Sequence, residues 1–248
     1  MAREPAKVTT PERALHFSAV RSAIVIPALD EEGSLPAVLD AIPASLEARV
    51  VVVDNGSSDR TAEVARRGGA EVLHESRRGY GAACLAGIRH LDRTEPRPDV
   101  LIILDADHAD DSSVLPDFVD RIARGEADFV VSTRTRGGAE PGSLTPVQVW
   151  GNRLQTAAIN ARFGTRLTDM GPMRAIRFEP LLNLGMRDPT WGWNVEMACK
   201  AARAGLKIVE RPVQYRNRFA GDSKISGNWK GVAKAGSRIL WALWTYAR

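Results

Sequence analysis

The sequence predicts an α/β protein: a mostly parallel sheet flanked by helices, with an amphipathic helical segment at its C-terminal end. Three observations predict it. Short apolar runs rich in Val and Ile recur at residues 23–26, 50–53, 100–104 and 129–131, each the length of a strand buried on both faces. Segments with helical spacing fall between them, the alternation of βαβ units. The runs stop at turn-forming or acidic residues, Pro27, Asp54-Asn55-Gly56 and Asp105-Ala106-Asp107, which places polar groups at strand ends. With 248 residues, 44% of them hydrophobic, the chain can bury one large core or two small ones.

Residues 1–21, with Pro5, Pro11 and scattered charge, read as a tail. The first strand is stopped by Pro27. Ser34 then caps a helix with Pro36 in its first turn. After the second strand, Asp59 can cap a helix over 60–67 that Gly68-Gly69 ends. Residues 71–74 form a third strand. From Gly79, helical spacing puts Leu85, Ile88 and Leu91 on one side. The acidic-tipped strand follows, then a helix over 112–124 and the strand at 129–131. Residues 134–146, rich in Arg, Gly and Pro, read as a mobile loop. Helices are expected over 146–163 and 190–203, and a strand over 207–213. No repeat or long linker divides the chain, so residues 22–226 form one domain, followed by a basic amphipathic helix over 227–248.

The net charge is +4, unevenly spread. From Lys200 to Arg248, eleven Lys or Arg stand against two Asp or Glu, so this segment carries +9 and the rest of the chain −5. Such a segment suits an anionic partner. In helical projection Trp229, Val232, Gly236, Ile239 and Leu243 share one side and Lys230, Lys234 and Arg238 another, with Trp241, Trp244 and Tyr246 adding aromatics. A helix lying in a membrane interface has this make-up, and so has one packed on its own sheet. Nucleic acid is a poor partner, because an acidic strand edge repels a phosphate backbone. Cys84 and Cys199 lack metal-site spacing, which points to a reducing compartment. The first twenty residues lack a signal-peptide core, and no uncharged run approaches the roughly 18 residues of a membrane span.

Strand ends in open α/β sheets are where ligands bind. Here Pro27 to Glu31, Asp54-Asn55, the Arg77-Arg78-Gly79-Tyr80-Gly81 turn and Asp105-Ala106-Asp107 collect on one edge. Asp105 and Asp107 can hold a hard cation together with a phosphate, or one of them can cap the next helix. Asp54 can accept from a base or ribose, or close an Asx-turn with Gly56 and Ser57. Gly79-Tyr80-Gly81-Ala82-Ala83-Cys84 is a partial dinucleotide-binding fingerprint that lacks its third glycine and follows the third strand instead of the first. His108 is a third metal ligand or an exposed histidine. Glu196, on an otherwise apolar helix, is a buried carboxylate with a raised pKa or a structural partner for an arginine.

Taken in order, Val25-Ile26-Pro27-Ala28-Leu29-Asp30-Glu31, Val52-Val53-Asp54-Asn55-Gly56-Ser57-Ser58-Asp59, Gly79-Tyr80-Gly81 and Leu104-Asp105-Ala106-Asp107 resemble glycosyltransferase family 2, with its GT-A fold. Thr168-Asp169-Met170-Gly171-Pro172-Met173-Arg174 and Arg218-Phe219-Ala220-Gly221-Asp222-Ser223-Lys224 resemble more closely the polyprenyl-phosphate sugar synthases, the dolichyl-phosphate mannose synthase group. The resemblance implies that Pro27, Leu29, Glu31 and Gly79 line a nucleotide pocket and that Asp54 contacts the base. It implies that Asp105, Ala106 and Asp107 are a DxD element binding Mg²⁺ or Mn²⁺ with the donor diphosphate. Arg134, Arg218 and Lys224 match basic residues near the phosphates, and Asn152 and Arg153 fall near acceptor-phosphate contacts. Asn55 departs from the family's second Asp, and the membrane-spanning helices of some relatives have no counterpart. The implied activity is inverting hexose transfer from a nucleoside-diphosphate sugar, UDP-glucose or GDP-mannose in class, to a polyprenyl phosphate. A phosphate acceptor needs no general base. A hydroxyl acceptor does, and Glu196 and Asp169 are the candidates. A non-catalytic sugar-nucleotide or lipid-binding module is the reading from another class. The implied location is the cytoplasmic face of the cell membrane, held peripherally, with the oligomeric state open.

Overall fold

The computed structural model describes residues 20–219 and 241–246. Seven strands form one sheet in the order β3-β2-β1-β4-β6-β5-β7. They are β1 (Ser22–Ala28), β2 (Arg49–Asp54), β3 (Glu71–His74), β4 (Val100–Ile103), β5 (Phe129–Thr133), β6 (Arg174–Arg177) and β7 (Ile208–Pro212). All pairs are parallel except those of β6, which runs antiparallel to both β4 and β5. The four residues of β6 are too few, and too charged at their ends, to have stood out as a strand.

Helices cover both faces. Strand residues alternate sides, so Ile24, Ile26, Val52 and Ile102 pack with α1 (Leu35–Ala41), α2 (Thr61–Arg67) and α4 (Leu115–Ala123). Val25, Val51, Leu101 and Ile103 pack with α3 (Tyr80–Arg93), α7 (Phe178–Asn183) and α8 (Trp193–Arg203). A short α5 (Arg134–Gly137) and a long α6 (Pro146–Phe163) fill the interval after β5. The expected loop at 134–146 is therefore partly ordered, since α5 occupies its start and Ala139 bridges to Tyr215. A Thr145/Gln148 capping box opens α6. Both cysteines are buried free thiols.

Pro27 does not stop β1. It pairs in register with Val53, and the strand runs on to Ala28. The β4 ladder ends at Val25, so the missing Pro27 N–H costs no sheet hydrogen bond on that side. Ser34 marks the start of α1 without capping it through its side chain. Asp59 lies one residue outside the α2 cap and accepts from the Thr61 N–H at 2.9 Å.

Residues 241–246 are helical, and Ala242 is buried against Ile159, Val195 and Cys199. Self-packing therefore accounts for one side of this stretch, while Trp241 and Trp244 remain exposed. No described helix is long and apolar enough to cross a membrane. Lys224 and residues 227–240 of the expected C-terminal helix lie outside the described residues.

Candidate active site

The chain leaves β1 toward β2 on one side and reaches β4 on the other, which makes the β1/β4 boundary a switch point where α/β sheets open a crevice. A cavity of about 860 Å³ lies there, and its wall includes Pro27, Leu29, Glu31, Gly79, Asp105 and Asp107. Ala106, Arg134 and Arg218 line it too.

Asp105 follows β4 directly, and its Oδ1 is buried with no hydrogen-bond partner. Burial, then the neighbouring Asp107, push its carboxyl up to about 7. Asp107 accepts the Ala109 N–H at 3.1 Å and faces Arg218 Nη1 at 3.3 Å. Arg218 also pairs with Glu31. The Ser34 hydroxyl lies 2.7 Å from the Glu31 carboxylate and 2.8 Å from the Ala106 carbonyl, so Ser34 ties α1 to the acidic loop instead of capping its own helix. Two carboxylates with one buried, unpartnered oxygen fit a hard divalent cation whose other ligands are phosphate oxygens and water. No third His, Cys, Asp or Glu among the described residues completes a cage.

Arg134 is positioned by a buried ion pair. Its Nε and Nη2 donate to Asp169 at 2.9 and 2.8 Å, and its guanidinium lies 5.1 Å from the centre of the Tyr215 ring. Burial alone would raise the Asp169 carboxyl, but Arg134 and backbone N–H donors outweigh it and hold it below the ordinary range. Asp169 is therefore held as the partner of Arg134, fully buried and outside the cavity wall.

Several expected residues fall elsewhere. Asp54 is not part of the cavity wall. Its carboxylate accepts the Ser57 N–H at 2.9 Å and lies 3.0 Å from His74 Nδ1, so the turn reading holds. Asn55 lines the cavity instead, while its side chain holds the Glu75 and Arg77 carbonyls and the Gly79 N–H. Glu196 is fully buried outside the cavity, accepting the Arg187 and Asp188 N–H groups and pairing with Lys200 at 2.7 Å. It anchors the α7–α8 connection and is closed off from any acceptor. Asn152 is buried and accepts the Met170 N–H, and Arg153 is exposed; neither lines the cavity. His108 lies outside the wall, its half-buried ring edge-on to Phe219 at 5.8 Å.

The glycine turn is not a phosphate cradle. A Cβ on Gly81 would lie 2.1 Å from the Asp188 carbonyl oxygen, and one on Gly79 equally close to that of Pro189. The Ala82 N–H donates to Pro189 O at 2.9 Å. These glycines admit the 188–190 backbone against the start of α3, which removes the dinucleotide-fingerprint reading.

Sequence reasoning missed three residues. Arg174 is fully buried on β6, with Nε on the Pro172 carbonyl at 3.2 Å; burial lowers its pKa, and Asp105 is among the charges opposing that. Trp191, just before α8, and Asn194, in its first turn, line the cavity. Arg174 ends the Thr168-to-Arg174 stretch that carries the resemblance, but no local pattern marks its role or those of Trp191 and Asn194, because these depend on what the sheet brings opposite them.

The sheet order, the switch-point cavity and the paired carboxylates beyond β4 define a GT-A fold. The fold matches glucosyl-3-phosphoglycerate synthase of Mycobacterium tuberculosis, solved with Mn²⁺, UDP and glucosyl-3-phosphoglycerate, at a TM-score of 0.73 and 21% identity over 96% of this chain and 86% of that one. The same protein has been solved with Mg²⁺ and UDP. Residues 23–185 match the model of glycosyl transferase family 2, and the chain belongs to that family and is a glycosyltransferase. It is 42% identical to an uncharacterized glycosyltransferase of Mycobacterium tuberculosis over 84% of this chain and 91% of the relative. It is 32% identical to a dolichyl-phosphate hexose transferase of Haloferax volcanii, covering 88% and 92%, and 32% identical to an undecaprenyl-phosphate mannosyltransferase of Micrococcus luteus, covering 86% and 91%.

Proposed function

We propose that the protein moves a hexose, with inversion, from a nucleoside-diphosphate sugar of the UDP-glucose or GDP-mannose class to a polyprenyl phosphate at a membrane surface. One observation carries the acceptor class. Away from Glu31, Asp105 and Asp107, the cavity wall holds Gln148, Thr190, Asn194, Tyr215 and Asn217 but no carboxylate or imidazole among the described residues. A hydroxyl acceptor must lose its proton as it attacks and needs a base there. A phosphate monoester arrives with its oxygen already ionised. Tyr215 is no substitute, since burial, then Asp107, raise its phenol further from neutrality. The names of the two relatives at 32% identity point to the same acceptor class.

In this reading Asp105 and Asp107 hold Mg²⁺ or Mn²⁺. When bound, the ion supplies a Lewis acid that stabilises charge on the departing diphosphate. Pro27, Leu29, Gly79 and Asn55 face the nucleotide. Arg134 keeps three of its five N–H donors beyond the two given to Asp169, and offers them to phosphate oxygens. Arg218 exchanges Glu31 and Asp107 for the incoming phosphate, with Lys224 assisting. The test compares polyprenyl phosphate with the matching polyprenol in liposomes containing donor and Mn²⁺. The phosphate should react at least about 10²-fold faster, the scale of a missing base. Equal rates would remove the phosphate-acceptor reading.

The membrane surface has its own support. Val147, Trp150 and Leu154 are 59, 72 and 54% exposed and share one face of α6, whose first turn reaches the cavity rim at Thr145 and Gln148. Residues 141–168 contain Arg153, Arg162 and Arg166 and no acidic residue. An apolar ridge in basic surroundings suits an anionic lipid surface. A Trp150→Ser/Leu154→Ser variant should float with anionic liposomes about tenfold less than the parent chain; unchanged flotation would free α6 of this role.

A further inference from the structure

We propose that Trp191 and Asn194 form the hexose subsite of the cavity and decide which sugar is accepted. Trp191 supplies the surface on which the sugar ring lies, and Asn194 Oδ1 accepts from one of its hydroxyls. This rests on the nucleotide-sugar reading above and adds the residues that read the sugar.

Trp191 sits in the connection before α8, which is pinned from several directions. The Ala82 N–H holds the Pro189 carbonyl, the Asp188 carboxylate accepts the Thr190 N–H at 2.7 Å, and Glu196 anchors the Arg187 and Asp188 N–H groups. Glycines at 79 and 81 let this backbone press against α3. The indole is thus fixed, yet 37% exposed within the cavity wall. The Tyr80 ring stacks on it with centroids 5.7 Å apart and planes 21° from parallel. Tyr80 covers one indole face, and the exposed part of the ring belongs to the cavity wall. A rigid aromatic wall with a few placed polar groups is how small-molecule pockets combine affinity with orientation.

Asn194 provides the polar group. It lines the same cavity, and its Oδ1 is buried with no hydrogen-bond partner. A buried acceptor left unsatisfied is unfavourable unless a ligand donor completes it. A sugar hydroxyl is such a donor, and an epimer that turns that hydroxyl away leaves the amide unpaired. The position fits. Tyr80, on which Trp191 stacks, lines the same cavity as Asp105 and Asp107, so the subsite shares its wall with the carboxylates that face the diphosphate in this reading. The hexose is bonded to that diphosphate.

The experiment is calorimetric titration of the full chain, with Mn²⁺, against UDP, UDP-glucose, UDP-galactose, GDP and GDP-mannose. The nucleotide that binds the parent chain is then used with Trp191→Ala, Trp191→Phe and Asn194→Ala. Trp191→Ala and Asn194→Ala should each lower the ratio of nucleotide-sugar affinity to nucleotide affinity about tenfold, with nucleotide affinity within twofold of the parent. Trp191→Phe should restore most of that ratio, and Asn194→Ala should also narrow the preference between sugars. An unchanged ratio, or equal weakening of nucleotide and nucleotide sugar, overturns the subsite. Failure of the parent chain to bind any of the five overturns the nucleotide-sugar reading itself, and is seen before any variant is made.

Discussion

Asp107→Asn should lower transfer by about 10²- to 10³-fold, the scale seen when one preorganised electrostatic group is removed from a charge-developing transition state. The amide retains the acceptor for the Ala109 N–H, and Arg218 retains Glu31, so the thermal midpoint should stay near that of the parent. The loss should appear in binding as well. Mn²⁺ should strengthen nucleotide binding to the parent chain and do so much less for the variant. Full activity of Asp107→Asn with Mn²⁺ would remove the metal assignment. Loss of the fold would instead show that the Asp107–Arg218 contact carries stability that its partly exposed geometry does not suggest.

The second large effect lies at the Arg134–Asp169 pair. Asp169 is fully buried and Arg134 partly so, and their two-point contact joins α5 to the segment before β6. Taking one charge from a buried pair typically costs about 3–5 kcal/mol, because the other is left uncompensated. For a chain of this size Asp169→Asn should therefore lower the thermal midpoint by roughly 10 °C. Activity should fall too, since Arg134 loses the partner that aims it at the cavity. The pH dependence has a definite sign. The Asp169 carboxyl is lower in the folded state than in the unfolded chain, so its stabilisation is complete above the unfolded value of about 4 and is lost as pH falls through the folded value. The gap between parent and variant should close as pH drops below about 4. Differential scanning calorimetry from pH 3 to 7 measures it, and a constant gap would mean that the pair contributes through packing alone.

The contrast between Asp107 and Glu196 shows how far sequence could go. Both are carboxylates next to apolar runs. Asp107 lies in the cavity wall, where the end of a buried parallel strand puts it in this architecture. Glu196 had no such frame. Its helix was legible, but whether it faced a substrate or a loop depended on the Arg187 and Asp188 backbone folding onto it. Asn194, two residues earlier on the same helix, faces the cavity and carried no signal in the sequence.

By itself the sequence determined the alternating strands and helices, the edge at which Pro27, Glu31, Asp105 and Asp107 gather, and the family. The elements and that edge follow from periodicity and turn chemistry, which are local and written residue by residue; the family follows from the resemblance of its motifs. Only the tertiary structure decided the antiparallel β6, the confinement of Asp54 and Glu196 to structural contacts, and the separate environments of Arg134 and Arg218. The physical reason is that a polar side chain is defined by its partner. Arg218 meets Glu31 across 187 residues, and Arg134 meets Asp169 across 35; no pattern along the chain fixes which buried charge finds which.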